Sequence, residues 1–188
     1  RPVQFDHDAA DLEAARQAAR KVSRAARSVS ATTGAAAGLG GALSMSADIP
    51  ATIAIALRAI RDTGRAYGYT GDGPAEKLFR LQILELAAVD EPEARRDRIA
   101  ALEAALGPAG ELVHADHEHI APIVDQAVER ISRAIAFTSF RSRAGMVVPL
   151  VGSIVGGLVN SSFQEDVGKA ARFAFQARRL KGDASAAA

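Results

Sequence analysis

Apolar residues recur every three or four positions through most of this chain, and no stretch alternates as a half-buried strand would. The first helical pattern covers 8–30, begins at a capping aspartate, Asp8 or Asp11, and keeps its arginines off its apolar face. The next helix is predicted to open at Asp48 and to close near Gly68. The same periodicity predicts further helices at 71–89, 91–107, 121–143 and 164–182.

These patterns predict an all-α fold, a single compact multi-helix bundle of about six to eight helices. A chain of 188 residues is long enough to bury a core without disulfides or a structural metal. We expect one helical domain over residues 1–182 and a disordered tail at 183–188.

The stretch at 147–160, "VVPLVGSIVGGLVN", is apolar from end to end. On a helix, one face carries the small or special residues Gly145, Pro149, Gly152, Gly156 and Asn160. The segment at 33–45 offers a similar face of Gly34, Gly38 and Gly41. We predict that these two glycine-rich segments are central helices packed on each other, and that Asn160 ends the second one.

The stretch at 147–160 is too short for a membrane span, which needs roughly 20 mostly apolar residues. Several of its positions are also glycine or proline, which are less hydrophobic than the residues typical of a span. We therefore favour a buried packing helix. A hairpin that dips into or contacts lipid is the alternative.

Charge is unevenly distributed although the net charge is only +1. Acidic residues predominate from Asp90 to Glu118, and basic residues predominate from Arg130 to Lys181. A basic surface suits anionic lipid. Nucleic acid is not expected as a partner, because Trp is absent and the two tyrosines lie together in "YGY", leaving no stacking platform. The absence of cysteine excludes thiol catalysis and disulfides.

The connector "HADHEH" contains the only cluster that resembles metal ligands: His114, Asp116, His117, Glu118 and His119. His114 and Glu118 have the i, i+4 spacing that places two ligands on one helix face, but one pair makes an incomplete site. We interpret the connector as a polar cap for the following helix and expect no metal and no cofactor. No serine has the context of a hydrolase nucleophile, so no catalytic residue is assigned.

Two polar residues interrupt apolar surroundings, Asp48 and Asn160. A helix cap and a helix stop explain them simply, as surface ion pairs would explain Arg58 and Arg172. The functional hypothesis is that Asp48, Arg58, Asn160 and Arg172 form a ligand-binding site, with the arginines on a phosphate or carboxylate head group.

Two blocks carry a family resemblance, "GLGGALSMSADIPATIAIALRAIRDTGRAYGY" and "PLVGSIVGGLVNSSFQEDVGKAARFAFQARRL". In their order and separation they resemble the EcsC family of bacterial proteins. The family positions that map here are Asp48, Pro149, Gly152, Gly156 and Asn160, signature residues of unproven role. The resemblance implies a mostly helical protein, often linked by gene context to an ABC-type exporter, and it supplies no catalytic mechanism.

Together these observations predict a non-enzymatic protein, cytoplasmic or peripheral at the bacterial inner membrane, that binds a lipid or other hydrophobic or amphipathic ligand. The alternative is a soluble interaction module that docks on a membrane complex of the exporter type and takes no ligand. A metal-dependent enzyme using His114, Asp116 and His117 is the least favoured hypothesis.

Overall fold

The computed structural model describes residues 4–8, 10–39, 45–89, 91–113 and 149–187, with the backbone alone described at 30–39, 45–51 and 149–161. The described residues form five helices and no strand beyond one isolated bridge between Leu106 and Leu112. The helices are α1 (Leu12–Leu39), α2 (Met45–Ala66), α3 (Pro74–Ala88), α4 (Pro92–Ala104) and α5 (Pro149–Ala186). The all-helical bundle is confirmed. The count of six to eight helices stays a prediction, since 114–148 lie outside the described residues.

Several helix limits follow from local chemistry that the sequence displays. Asp11 caps α1, because its Oδ1 accepts hydrogen bonds from the backbone N–H groups of Glu13 (2.9 Å) and Ala14 (3.0 Å). Pro74 opens α3, where its missing N–H costs no intrahelical bond. A turn at Gly68 follows the end of α2, as predicted.

Three predicted limits were wrong, each because a helix continues further than its sequence signals indicate. Helix α1 runs through the first glycine-rich segment as far as Leu39. Helix α2 begins at Met45, so Asp48 lies inside its first turn and is not the N-cap. Helix α5 passes through Asn160 without a break. An asparagine tolerates helical geometry, so it ends a helix only where tertiary contacts favour a turn.

Helices α1 and α5 are antiparallel and form the largest interface of the described chain. The side-chain contacts between them show this, because residue numbers rise along α1 as they fall along α5: Arg16 bonds Gln176, Ser23 bonds Arg172, and Arg27 pairs with Glu165. Alanines fill most of the seam on the α1 side, where Ala15, Ala18 and Ala19 are buried. Small side chains let the two backbones approach closely, although each buries little apolar area.

The two helices approach each other closely at Gly168. A Cβ atom built there would lie 2.4 Å from Ser23 Oγ and 2.9 Å from Ser23 Cβ. No larger residue fits without moving one of the helices. Gly168 therefore fixes the separation between α1 and α5.

Helices α2 and α3 also pack against α5, whose buried face carries Val167, Ala170, Ala171, Ala174 and Phe175, and α4 packs against α3. The Phe175 ring stacks against Tyr69 (5.8 Å between centroids) and meets Phe79 edge-on (5.7 Å). Helix α3 supplies much of the rest of the core through Leu81, Ile83, Leu84 and Leu86. Three of the signature-block residues, Ala170, Ala171 and Phe175, are thus core residues.

A buried arginine ties the end of α5 to three other segments. Arg178 is 7% exposed; its Nη1 lies 2.8 Å from Glu76 Oε1 on α3, and its Nε donates to the Gly110 carbonyl at 2.9 Å. Its guanidinium carbon lies 4.0 Å from the centroid of the Tyr69 ring. Gly110 has a φ of +74°, and a Cβ there would lie 2.4 Å from the Arg178 carbonyl oxygen, so only glycine fits.

We expect Gly168→Ala to lower the free energy of unfolding by about 1–3 kcal/mol, because the added methyl group collides with Ser23. This loss should outweigh the gain of about 1 kcal/mol in helix propensity. Gly182→Ala in the same helix is the matched control, since a Cβ there meets only the Ala109 carbonyl, at 3.4 Å. Denaturant unfolding of both variants checks this: opposite signs are expected, and stabilisation by both changes would contradict a tight seam.

Candidate functional site

The four predicted ligand-binding residues do not form one described site. Arg58 is an exposed side chain whose Nε lies 3.7 Å from the buried Asp62 carboxylate one turn along α2, which matches the simple ion-pair interpretation. Arg172 lies instead at the seam between α1 and α5. Asp48 and Asn160 lie on α2 and α5, but their side chains fall outside the described residues.

The connector that holds His114, Asp116, His117 and Glu118 also lies outside the described residues. Across the described ranges, no group of three or more His, Cys, Asp or Glu side chains is placed to hold a metal ion. The hypothesis of a metal site in the connector therefore stays a prediction of low weight on spacing alone.

Arg172 is half-buried and has a neutral partner. Its Nη1 donates to Ser23 Oγ at 2.6 Å, and that hydroxyl donates in turn to the Ala19 carbonyl at 3.1 Å. Burial lowers the pKa of Arg172 below its ordinary value, and the like charge of Arg20 lowers it further. Glu165 acts in the opposite direction, but it already pairs with Arg27 and Lys169.

Tyr67, at the end of α2, has a buried hydroxyl group whose pKa is influenced by the same arginines. The residue is 1% exposed, and its hydroxyl has no hydrogen-bond partner among the described residues. Burial raises the pKa of Tyr67, while the charges of Arg16, Arg172 and Arg20 act on the phenol in the opposite direction. These three guanidinium groups therefore lie within electrostatic reach of one buried hydroxyl.

We call Arg16, Arg20, Ser23, Tyr67 and Arg172 the seam cluster. Two acidic residues act on this cluster: Glu13, whose exposed side chain places Oε2 3.7 Å from Arg16 Nη1, and Glu165, whose charge acts on Arg172. Neither Arg20 nor Arg172 makes an ion pair among the described residues, where Arg172 donates to Ser23.

Elsewhere on the described part of α5, the basic residues are largely neutralised. Lys169 pairs with Glu165 and Asp166, both at 3.3 Å, and Arg179 pairs with Asp183 at 2.9 Å. Arg178 is buried against Glu76. The basic surface that the sequence indicates is therefore narrower on this helix. Among its described basic residues, Arg172 and Lys181 have no acidic partner, and Lys181 Nζ donates instead to the Leu106 carbonyl at 3.3 Å.

Two large apolar side chains stand out on the surface of α5. Phe173 and Leu180 are 45% and 47% exposed, and they lie seven positions apart, which places them on one face of the helix. Phe173 follows Arg172 directly in sequence. Consecutive helical residues point in directions about 100° apart, so the exposed apolar face lies to one side of Arg172 on α5.

The described helices define a helical bundle with an arginine-rich seam between α1 and α5. The chain belongs to the EcsC protein family, whose family model matches residues 3–180. Among curated proteins it is similar to Uncharacterized protein YdbA of Bacillus subtilis (strain 168), at 24% identity over 147 residues. That match covers 76% of this chain and 49% of YdbA, so the chain spans about half the length of this relative. No solved structure matches the chain.

In the described part of the chain, no helix has both the length and the hydropathy needed to cross a membrane.

Sequence reasoning found Arg172 but missed most of its neighbours. Arg16 and Arg20 were recognised only as part of a charged face of the first helix, with no signal to separate them from Arg24 and Arg27. Tyr67 belongs to the signature block, yet nothing in the sequence shows that its hydroxyl is buried without a partner. Gly168 lies outside both glycine-rich segments, so the small-residue pattern did not mark it.

We expect the two tyrosines of this chain to ionise only above pH 10.0, because burial raises the pKa of both Tyr67 and Tyr69. Since the folded state holds these protons more tightly than the unfolded state, the stability they contribute is full below pH 10.0 and is lost as the pH rises through the folded pKa values.

Tyrosinate absorbance measures this directly, because the chain contains no tryptophan to interfere. The same titration in concentrated guanidinium chloride is the control and should give an ordinary midpoint. A folded midpoint at or below the denatured one would contradict the burial of both phenols.

Proposed function

We propose that this EcsC domain is a non-enzymatic binding protein that contacts the bacterial inner membrane peripherally and takes a lipid or another amphipathic anionic ligand. The observation that carries the proposal is the exposed pair Phe173 and Leu180 on α5, beside the uncompensated charge of Arg172. Large apolar side chains on one helix face, with basic residues next to them, are typical of elements that lie in a membrane interface.

The two glycine-rich segments supply the apolar part of the proposed site. The described partners of α1 and α5 follow an antiparallel register from Arg16–Gln176 to Arg27–Glu165. We propose that the same register continues, which brings Gly34 and Gly38 alongside the turns that hold Gly152 and Gly156. The bulky side chains around these glycines then provide an apolar surface for an acyl chain.

Liposome flotation tests the membrane proposal. We expect the purified domain to float with phosphatidylcholine vesicles that contain phosphatidylglycerol at low salt. Flotation should be weaker at high salt and with phosphatidylcholine alone, because salt screens the attraction to anionic lipid. The absence of flotation at low salt would overturn the proposal, and binding restricted to native membranes with their proteins would favour docking on a membrane complex.

The double variant Phe173→Ser/Leu180→Ser should partition onto anionic vesicles about tenfold less than the parent, because two side chains lose their apolar contact with the interface. Val113→Ser is the matched control, since Val113 is 58% exposed but lies outside α5. Equal losses in the two variants would show that general surface hydrophobicity, and not the α5 face, drives binding.

The proposed glycine packing has its own test. Gly156→Leu should lower the free energy of unfolding by about 1–3 kcal/mol or more, because the new side chain separates two closely packed helices. Ser162→Leu serves as the control on the same helix, since Ser162 is exposed. Thermal unfolding followed by circular dichroism distinguishes the two, and an unchanged midpoint for Gly156→Leu would refute the packing.

A further inference from the structure

The seam between α1 and α5 has an outer edge that is open to solvent. Two of the contacts that cross it, from Arg16 to Gln176 and from Arg27 to Glu165, join side chains that are partly exposed. Residues three or four positions away from these contacts lie on the same side of the bundle, because such residues are neighbours on a helix surface. The outer edge therefore belongs to one surface that α1 and α5 share.

Helix α1 contributes a row of basic residues to this surface. Arg20 follows Arg16 by four positions, and Arg24 precedes Arg27 by three, so the four arginines lie on one side of the helix. Arg20 and Arg24 are exposed, and neither makes an ion pair among the described residues. The one described side-chain bond of Arg24 runs from its Nε to the Arg20 carbonyl, at 3.5 Å.

Helix α5 contributes an apolar pair to the same surface. Phe173 and Leu180 lie three positions before and four positions after Gln176, whose Oε1 accepts a hydrogen bond from Arg16 at 3.2 Å. Both apolar side chains are exposed. Between them and the arginines of α1 lies Arg172, held at the seam by its bond to Ser23. We call Arg20, Arg24, Arg172, Phe173 and Leu180 the α1–α5 face.

The charge of the α1–α5 face is not neutralised by its surroundings. The acidic residues beside it already have basic partners: Glu13 pairs with Arg16, Glu165 with Arg27 and Lys169, and Asp166 with Lys169. The three arginines of the face add positive charge to these balanced pairs, and none of them makes an ion pair in the described part of the chain. Such a surface attracts an anionic partner.

The extent of the face fits a membrane surface. At 1.5 Å per residue, the arginine row of α1 is roughly 17 Å long, and the stretch of α5 from Glu165 to Leu180 is roughly 22 Å long. Two helices packed side by side thus present basic and large apolar groups over a broad area. At a bilayer surface, guanidinium groups can meet lipid phosphates while phenylalanine and leucine side chains reach the boundary with the acyl chains.

We propose that the α1–α5 face lies flat on an anionic lipid bilayer. The arginines of both helices contact lipid phosphates, and Phe173 and Leu180 insert between the head groups. This inference deepens the proposed function, on which it rests: it adds α1 to the contact and orients the domain with both helix axes parallel to the membrane plane. An acidic protein surface is the competing occupant.

The first test removes charge from α1. Arg20→Gln/Arg24→Gln should weaken partitioning onto vesicles of phosphatidylcholine and phosphatidylglycerol at low salt roughly tenfold or more, since each basic residue near an anionic surface strengthens binding about fivefold. Arg95→Gln/Arg96→Gln is the matched control, because it removes the same charge from exposed positions on α4, which packs against α3. Thermal unfolding should show that both variants remain folded. Equal losses of binding would overturn the proposed orientation.

The second test reads the orientation directly. Because the chain contains no cysteine, one introduced cysteine can carry an environment-sensitive fluorophore at a single position. Gln17→Cys reports α1 three positions before Arg20, Ala177→Cys reports α5 four positions after Phe173, and Ala100→Cys reports an exposed position on α4. None of these changes removes a charge. We expect anionic vesicles to shift the emission of the first two probes to shorter wavelength and to leave the third unchanged. An equal shift at all three positions would overturn the proposal.

The two tests distinguish this inference from the proposed function. If the parent floats and the Ala177→Cys probe shifts, but the Gln17→Cys probe and the α1 charge variant show no effect, the membrane function stands and the part assigned to α1 is refuted. If the parent does not bind protein-free vesicles, the proposed function falls. If the α1 charge variant then weakens binding to native membranes with their proteins, the face docks on an acidic protein, and the lipid assignment is overturned.

Discussion

The close contact between α1 and α5 at Gly168 is the constraint on which the rest of the structure depends. It sets the distance between the two longest described helices and places Ser23 where Arg172 can donate to it. A wider seam would break that bond and move the arginines of α1 away from those of α5. The same packing therefore stabilises the bundle and concentrates positive charge at one place on its surface.

Packing α1 against α5 has two energetic disadvantages: it buries little apolar area, and it brings arginines together. Close packing of helices rich in alanine and glycine gains little apolar burial per residue, so the bundle relies on larger residues elsewhere, such as Phe175 and Phe79. Arginines brought together at the seam repel one another and lose solvation, which lowers the pKa of Arg172. By contrast, Arg178 pairs with Glu76, donates to the Gly110 carbonyl and lies over the Tyr69 ring.

Much of the fold could be read from local signals. Helical periodicity, the capping Asp11 and the proline at the start of α3 are short-range features whose physics is complete within a few residues. The predicted helix limits at Asp48 and Asn160 were wrong. Whether a helix continues past such a residue depends on contacts with neighbouring helices, which local sequence does not specify. The candidate site was predictable only in part. Arg172 could be proposed from its block, but its hydrogen-bond partner Ser23, 149 positions away, could not.

The sequence by itself determined that this chain is helical, that its helices are apolar on one side, and that it belongs with the EcsC proteins. The first two properties follow from residue spacing, and the third from the match between the chain and the family. The tertiary structure alone decided which charges are neutralised. Lys169, Arg178 and Arg179 look equivalent to Arg172 in the sequence, yet each has an acidic partner and Arg172 does not. Electrostatic compensation depends on distances between groups on different helix turns and different helices, and only packing sets those distances.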